Sequence, residues 1–172
     1  WPIKVKTMLK NKSVAITGSA KGIGRYIASR FAQEGANVAI LDIDEERLAQ
    51  THAELADFGG QVLAIPTDVK KEGTIRIAMA EVAEKFGGID ICINNASAIS
   101  LTGTEATEMK RWDLMHQINA RGTFLTSKTC IPHLKKTENP HVLMLSPPLD
   151  MSPKWFAGHT AYTMAKYGMS MC

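Results

Sequence analysis

The stretch Ser13-Val-Ala-Ile-Thr17-Gly18-Ser-Ala-Lys-Gly22-Ile-Gly24 decides the fold of this chain. A short apolar run passes through three glycines into an amphipathic pattern, and this order of strand, glycine turn and helix is the fingerprint of dinucleotide binding. Gly18 permits the tight turn, Gly22 lets the backbone approach a pyrophosphate, and Gly24 lets the helix pack closely on the strand. The unpaired N–H groups at the start of the helix attract phosphate.

The glycine turn therefore provides the first set of predicted cofactor-binding residues. They are Gly18, Ala20, Lys21, Gly22, Ile23 and Gly24. A purely structural turn is the alternative, because glycine serves tight turns whether or not a ligand is present.

The rest of the chain repeats the rhythm of apolar run, amphipathic helix and glycine. Further runs at residues 37–41, 61–65, 89–94 and 141–145 are continuously apolar, as expected for parallel strands covered on both faces. Glycines that stop the predicted helices follow them, namely Gly35, Gly59, Gly60, Gly87 and Gly88. This alternation predicts an α/β fold, a doubly wound (Rossmann) parallel sheet with strand order 3-2-1-4-5, in a single domain of residues 1–172.

The last part of the sequence predicts a helix with no strand after it. Residues 158–172 have the pattern of a helix start, whereas a sheet of this type normally has a sixth strand at its outer edge. We therefore expect the sequence to be the N-terminal part of a longer chain, cut before that strand.

The composition excludes several classes of protein. Of the 172 residues, 45% are hydrophobic and 22% are charged, which is typical of a soluble globular protein. A net charge of +3 is too small to predict a nucleic-acid partner, and no apolar run approaches the ~18–20 residues of a membrane-spanning helix. Cys92, Cys130 and Cys172 form no Cys-x-x-Cys pair, so we predict no metal site and a reducing compartment.

An acidic residue follows the second apolar run. Asp42 stands where a carboxylate hydrogen-bonds the adenosine ribose hydroxyls and repels a 2′-phosphate, which favours NAD. Lys21 favours NADP instead, because a cation beside the turn attracts that phosphate. The alternative for Asp42 is a capping role at the N-terminus of a helix predicted over residues 45–58.

Near the end of the sequence, Tyr162 and Lys166 are four residues apart. This spacing places both side chains on one face of a helix. An ammonium stabilises the phenolate form of a neighbouring tyrosine, so such a pair transfers a proton to or from oxygen while hydride moves at carbon. The alternative is two exposed helix residues without a role. His159, three residues earlier, is interpreted as a solvated or capping residue.

Together these motifs resemble the short-chain dehydrogenase/reductase family. The matching positions follow the family's order along nearly the whole chain. They are Thr17–Gly24, Asp68-Val69, Asn94-Asn95-Ala96, Asn119, Ser146, and Tyr162 with Lys166. The sequences NNASAISL (94–101), SPPL (146–149) and AYTMAKYGMSM (161–171) are most similar to the hydroxysteroid-dehydrogenase-like branch. Some members of that branch are peroxisomal and carry a sterol-carrier lipid-binding domain.

The resemblance implies a role for each matching residue. Tyr162 would be the general acid/base, Lys166 would support it and bind the nicotinamide ribose, and Ser146 would hydrogen-bond the substrate oxygen. Asn119 would hold a water that relays protons, with a core amide bonded to backbone as the alternative. The cofactor would also contact Tyr162 and the positions that follow the strands, namely Asp42, Ile43, Asp68, Val69, Asn95 and Ala96. For Asp68 the alternative is an ordinary turn at the end of a strand.

The sequence departs from the family pattern at two places. Ser97 replaces the usual glycine after Asn-Asn-Ala, and Ser146-Pro147 replaces the usual serine pair. Because proline fixes φ and has no N–H, the loop after Ser146 must take another path. Ser152 is the alternative catalytic serine.

The predicted function is an NAD-dependent oxidoreductase, with NADP as the alternative cofactor, that interconverts a secondary alcohol and a carbonyl. The alternative is an NAD(P)-binding module without catalysis. The expected partner is a small carbonyl or alcohol, with lipid-like molecules included. We also expect a homo-oligomer, paired through the fourth helix and the tyrosine helix, and a cytoplasmic location with the peroxisome as the alternative.

Overall fold

The chain folds into a five-stranded parallel sheet with helices on both faces. The computed structural model describes residues 8–172. The strands are β1 (Ser13–Thr17), β2 (Asn37–Asp42), β3 (Val62–Pro66), β4 (Ile91–Asn94) and β5 (His141–Met144). The helices are α1 (Gly22–Gln33), α2 (Glu45–Leu55), α3 (Glu72–Phe86), α4 (Met109–Met115), α5 (Gly122–Leu134) and α6 (Thr160–Ser170). All four strand pairings are parallel and the order is β3-β2-β1-β4-β5, which confirms the predicted fold.

The core lies on both faces of the sheet because successive strand residues point to opposite sides. Val14 and Ile16 pack on one face with residues of α1 and α2. Ala15 and Cys92 pack on the other face with residues of α3 and α5. All five residues of β1, the central strand, are buried. The strand is covered on both faces, which explains why its sequence is continuously apolar.

The parallel arrangement brings the candidate residues to one edge of the sheet. The glycine turn follows β1, Asp42 is the last residue of β2, and Asn95 and Ser146 come shortly after β4 and β5. Since the carboxyl ends of parallel strands meet at the same edge, residues far apart in sequence become neighbours there.

Several predicted boundaries differ from the structure. The helix predicted over residues 45–58 ends at Leu55, before Gly59 and Gly60, and neither glycine has a positive φ. The strand predicted at 89–94 begins only at Ile91, and the strand predicted at 141–145 ends at Met144. The helix expected around Asn119 is interrupted by a π-helical segment, His116–Arg121, between α4 and α5.

The expectation that every strand is covered on both faces is wrong for β5. Its residues His141, Val142 and Leu143 are exposed, with half of Leu143 accessible to solvent. The reason is its position at the edge of the described sheet, where β4 is its only strand neighbour.

Candidate active site

The glycine turn has the backbone conformation that only glycine adopts freely. Gly18 and Gly22 have φ values of 65° and 57°, in the left-handed region. A Cβ on Gly24 would collide with the carbonyl oxygen of Gly18 and with Nδ2 of Asn95. Gly22 has nothing within 4 Å of where its Cβ would be, so its open side is where a ligand can come close to the backbone.

Asn95, just after β4, and Thr17, at the end of β1, hold the turn in place by hydrogen bonds. Nδ2 of Asn95 donates to the carbonyl oxygens of Thr17 and Gly18, at 3.0 and 2.8 Å. The Thr17 hydroxyl accepts from the amides of Asn95 and Ala96, both at 3.1 Å. Because these four bonds join the ends of β1 and β4, the turn is held in place before any ligand binds.

Asp42 points back at the turn. Its Oδ2 accepts from the amide of Ala20 at 3.1 Å, and its Oδ1 accepts from the amide of Asp44 at 3.2 Å. The alternative in which Asp42 caps α2 is wrong, because the cap is Asp44, whose carboxylate accepts from the amide of Arg47. The Asp42 carboxylate therefore lies at the entrance of the crevice that the turn borders.

This crevice has a volume of about 530 Å³ and runs along the carboxyl ends of the strands. Nine of the predicted cofactor-binding residues line it, namely Gly18, Lys21, Ile23, Asp42, Ile43, Asp68, Val69, Asn95 and Ala96. The other five, Ala20, Gly22, Gly24, Tyr162 and Lys166, lie outside that lining, and Ala20 and Gly24 are buried beneath the turn.

Sequence reasoning missed some of the lining. Thr67, Lys70, Ser97, Leu114 and Ile118 also border the crevice. Lys70 adds a second cation to the crevice that Lys21 also lines, with its Nζ 3.9 Å from Oδ2 of Asp68. A signal for Lys70 was available, because it directly follows the predicted pair Asp68 and Val69.

Asp68 forms an ordinary turn at the end of a strand, which was the alternative prediction for this residue. Its Oδ1 accepts from the amide of Lys70, two residues on, at 3.0 Å. The same side chain lines the crevice, so the turn presents the residue there.

Tyr162 and Lys166 line a second cavity, also of about 530 Å³. Both residues are half-buried on the face of α6 that borders it, as their spacing predicts. The other walls come from Leu101 and from the segment between β5 and α6, and they are predominantly apolar. The residues of that segment are Pro147, Pro148, Asp150, Trp155 and His159, and Thr163 and Tyr167 of α6 also line the cavity.

Lys166 is anchored by hydrogen bonds within the protein. Its Nζ donates to the carbonyl oxygen of Leu145 at 2.5 Å and contacts the sulfur of Met169 at 3.4 Å. Burial lowers the pKa of the Lys166 ammonium, because desolvation disfavours the charged form.

Asn119 is fully buried in the π-helical segment, and its amide is paired with backbone. Its Oδ1 accepts from the amide of Ala98 at 2.7 Å, and its Nδ2 donates to the carbonyl of Ala98 at 2.9 Å. This arrangement matches the alternative prediction for Asn119, a buried amide that is hydrogen-bonded to backbone. The loop that it holds borders both cavities, through Ala96 and Ser97 on one side and Leu101 on the other.

The two candidate serines have different surroundings. Ser152 donates from Oγ to Oδ1 of Asp150 at 2.6 Å, so its hydroxyl is engaged in a local turn. Ser146 is half-buried and follows β5 directly, but it lines neither cavity. Its neighbour Pro147 is part of the wall of the second cavity.

His159, interpreted as a solvated or capping residue, is partly exposed and lies at the N-cap of α6, although its side chain makes no capping hydrogen bond. Its Nδ1 lies 3.0 Å from the Thr163 hydroxyl, and its ring lines the second cavity. Within residues 8–172, no group of three or more His, Cys, Asp or Glu side chains is arranged to hold a metal ion. Over the same residues, every helix is too short or too polar to cross a membrane.

Comparison with known proteins agrees with this geometry. Residues 12–172 match the family of short chain dehydrogenases. Because the match covers nearly all of the sequence, the chain belongs to the short-chain dehydrogenase/reductase family.

Among curated proteins, the chain is 53% identical over 171 residues to hydroxysteroid dehydrogenase-like protein 2 of Danio rerio. It is 48% identical over 170 residues to the protein of that name from Homo sapiens. These alignments cover 93% and 92% of this chain but only 40% of each relative. The similarity confirms the predicted resemblance to the hydroxysteroid-dehydrogenase-like branch.

The fold matches solved structures closely. A short chain dehydrogenase from Mycobacterium thermoresistibile superposes with a TM-score of 0.91 and 45% identity, covering 95% of this chain and 61% of that one. The chain thus spans about two fifths of the length of these curated relatives and about three fifths of that solved structure.

Proposed function

We propose that residues 1–172 are one dinucleotide-binding domain of an oxidoreductase that interconverts a secondary alcohol and a carbonyl. The observation that carries the proposal is the shared position of two groups. The glycine turn follows β1, and the cavity of Tyr162 and Lys166 adjoins the end of β5, at the same edge of one parallel sheet. The glycine turn would hold the pyrophosphate of a coenzyme bound along that edge, and Tyr162 would face its nicotinamide end.

The crevice suits a nicotinamide dinucleotide. Gly22 leaves open space beside the start of α1, where helix N–H groups attract phosphate. Asp42 at the end of β2 suits the hydroxyls of the adenosine ribose, so we propose NAD as the cofactor. Lys21 and Lys70 on the same crevice keep NADP as the alternative, because both cations attract a 2′-phosphate.

The chemistry divides between the coenzyme and the side chains around Tyr162. The nicotinamide, when bound, accepts or donates hydride. Tyr162 gives a proton to the carbonyl oxygen or takes one from the alcohol, and the Lys166 ammonium stabilises the phenolate. Ser146 lines neither cavity, but its neighbour Pro147 lines the second one, and we propose Ser146 as the residue that holds the substrate oxygen. Asn119 supports the proton relay in this proposal by fixing the loop at Ala98.

The substrate in this proposal is a small alcohol or carbonyl with a lipid-like, apolar body. The walls of the second cavity are predominantly apolar, and Leu101, Pro148 and Trp155 are among the residues that line it. Apolar walls with a few polar groups at one end are typical of sites for such ligands. The curated relatives carry the name hydroxysteroid dehydrogenase-like, which agrees with this substrate class.

Assembly and location complete the proposal. We propose a homo-oligomer paired through α5 and α6, because both helices expose large apolar side chains at seven-residue spacing. These are Phe124 and Ile131 on α5, and Met164 and Met171 at α6. We propose a cytoplasmic location, with the peroxisome as the alternative, in agreement with three free thiols.

Replacing Tyr162 by Phe tests the function. The variant keeps the ring but has no proton to transfer, so kcat with a carbonyl substrate should fall by about a hundredfold or more. NADH absorbance measures the turnover. Tyr26→Phe is the matched control, because Tyr26 is exposed on α1 and loses the same hydroxyl. Unchanged turnover in Tyr162→Phe would refute the role, and NADH binding without any turnover in the unmodified protein would favour a binding module.

A further inference from the structure

The segment between β5 and α6 is held by side chains of α6. We call residues 145–156 the wall loop, because Pro147, Pro148, Asp150 and Trp155 form much of the second cavity. Five α6 side chains bond its backbone along almost its whole length. Those bonds run from Lys166 to Leu145, Ser170 to Pro147, Tyr167 to Asp150, Thr163 to Trp155, and Thr160 to Phe156.

Tyr167 is the central anchor of this set. Its hydroxyl donates to the carbonyl oxygen of Asp150 at 2.5 Å and accepts from the amide of the same residue at 3.2 Å. The side chain is buried, with 9% exposed, and its ring meets that of Phe156 edge to face at 5.6 Å between centroids. Because the hydroxyl already serves as donor and acceptor to backbone, Tyr167 is engaged in structure and has no free proton for chemistry.

The carboxylate of Asp150 organises the other half of the wall loop. Its Oδ1 accepts from the amide of Ser152 at 2.9 Å and from the Ser152 hydroxyl at 2.6 Å. Its Oδ2 accepts from Nε1 of Trp155 at 2.6 Å. The indole is thus oriented by a direct bond, and it forms one side of the cavity that contains Tyr162.

We propose that Tyr167 and Asp150 are positioning residues that fix Trp155 as the wall against which the apolar body of the substrate packs. Tyr167 sets the backbone of Asp150, Asp150 sets the indole, and the indole sets the width of the cavity beside Tyr162. Two tyrosines of one helix therefore have different tasks, since Tyr162 faces the reacting atoms and Tyr167 shapes the site. The inference rests on the proposed function for what reacts in the cavity, but the anchoring itself does not require turnover.

The anchoring is tested by hydrogen exchange in Tyr167→Phe. This variant keeps the ring against Phe156 and removes only the hydroxyl, so the Asp150 amide loses its acceptor. Exchange of that amide should become about fivefold faster, the effect of one hydrogen bond. Tyr26→Phe, which loses an exposed hydroxyl on α1, should leave it unchanged. Equal exchange in the two variants would overturn the proposal.

The effect on the site is tested with cyclooctanone as an apolar ketone probe. Its dissociation constant, measured by calorimetry in the presence of NADH, should rise by about tenfold in Tyr167→Phe and in Trp155→Ala. Because Tyr167 acts through Trp155, the double variant should bind no more weakly than Trp155→Ala alone. Independent, multiplying effects would overturn the positioning role. Asp150→Asn, which keeps a turn acceptor but removes the charge facing Nε1, should show the same dependence on Trp155.

The two proposals fail in different ways. Suppose that Tyr162→Phe turns over normally while the affinity for cyclooctanone depends on Tyr167 through Trp155. The proton-transfer role of Tyr162 is then wrong, and the positioning role of Tyr167 is supported. If Tyr162→Phe is inactive while Tyr167→Phe binds cyclooctanone like the unmodified protein, the wall is wrong and the chemistry stands.

Discussion

The crevice beside the glycine turn and the cavity beside Tyr162 have the same volume, about 530 Å³, but they are built in different ways. The crevice lies at the ends of the strands and is formed largely by backbone. Glycines leave the space, and hydrogen bonds of Thr17 and Asn95 hold the turn, so the shape of the crevice follows from the sheet. The cavity is made by an irregular loop that the side chains of α6 hold in place. The crevice proposed for the coenzyme therefore depends mainly on backbone at the strand ends, whereas the cavity proposed for the substrate depends on the side chains that hold the loop.

The largest expected effect comes from filling the space that the crevice depends on. In Gly24→Ala the new methyl group meets the Gly18 carbonyl and the Asn95 amide, so the turn must open. We expect NADH affinity to fall by about a hundredfold or more, with a loss of stability of about 1–3 kcal/mol from overpacking. Calorimetry and thermal unfolding measure the two effects.

Gly73→Ala is the control for this change. Gly73 lies in α3, and nothing is within 4 Å of where its Cβ would be. The substitution should raise stability by about 1 kcal/mol, because alanine favours a helix over glycine. Equal affinities in the Gly24 and Gly73 variants would show that the turn tolerates a side chain.

A smaller effect is expected for Asp42→Asn, which tests the choice of coenzyme. The loss of negative charge removes repulsion against a 2′-phosphate, so the ratio of NADPH to NADH affinity should rise by about tenfold. Asp44→Asn is the matched control, because asparagine also caps a helix well and Asp44 is already engaged at α2. If the ratio of NADPH to NADH affinity is unchanged in Asp42→Asn, the selectivity between the two coenzymes would have to be assigned to Lys21 and Lys70.

The smallest expected effect concerns the wall loop at low pH. Hydrogen bonds from Ser152 and then Trp155 lower the pKa of the Asp150 carboxyl from its ordinary value of 3.8. A pKa that is lower in the folded state stabilises the loop above the ordinary value, and this stabilisation is lost as pH falls through the lowered pKa. Acrylamide quenching of Trp155 fluorescence should therefore increase below about pH 4. Asp150→Asn should lack this step, and an identical profile in both proteins would contradict the assignment.

The strands and the helix faces were predictable because hydrophobic period and glycine position act over a few neighbouring residues, and the strand order followed from the right-handed crossovers of alternating strands and helices. Val14 and Ile16 had to be buried whichever partner covered them, and Tyr162 and Lys166 had to share a helix face. The π-helical segment around Asn119 was not predictable in this way. It depends on contacts with Ala98 and on the close packing of Gly168 against Ala120, which join parts of the chain far apart in sequence.

Residue spacing was enough to predict the α/β class, the family, the glycine turn and the shared helix face of Tyr162 and Lys166, because each depends on residues close together in sequence. Only the tertiary structure decided that Asp42 faces the amide of Ala20 and that Asn119 holds Ala98. The hydrogen bond from the Tyr167 hydroxyl to the backbone of Asp150 is likewise visible only in the tertiary structure. The physical reason is that a hydrogen bond between distant residues depends on where the backbone brings them, and no local pattern of residue types records that position.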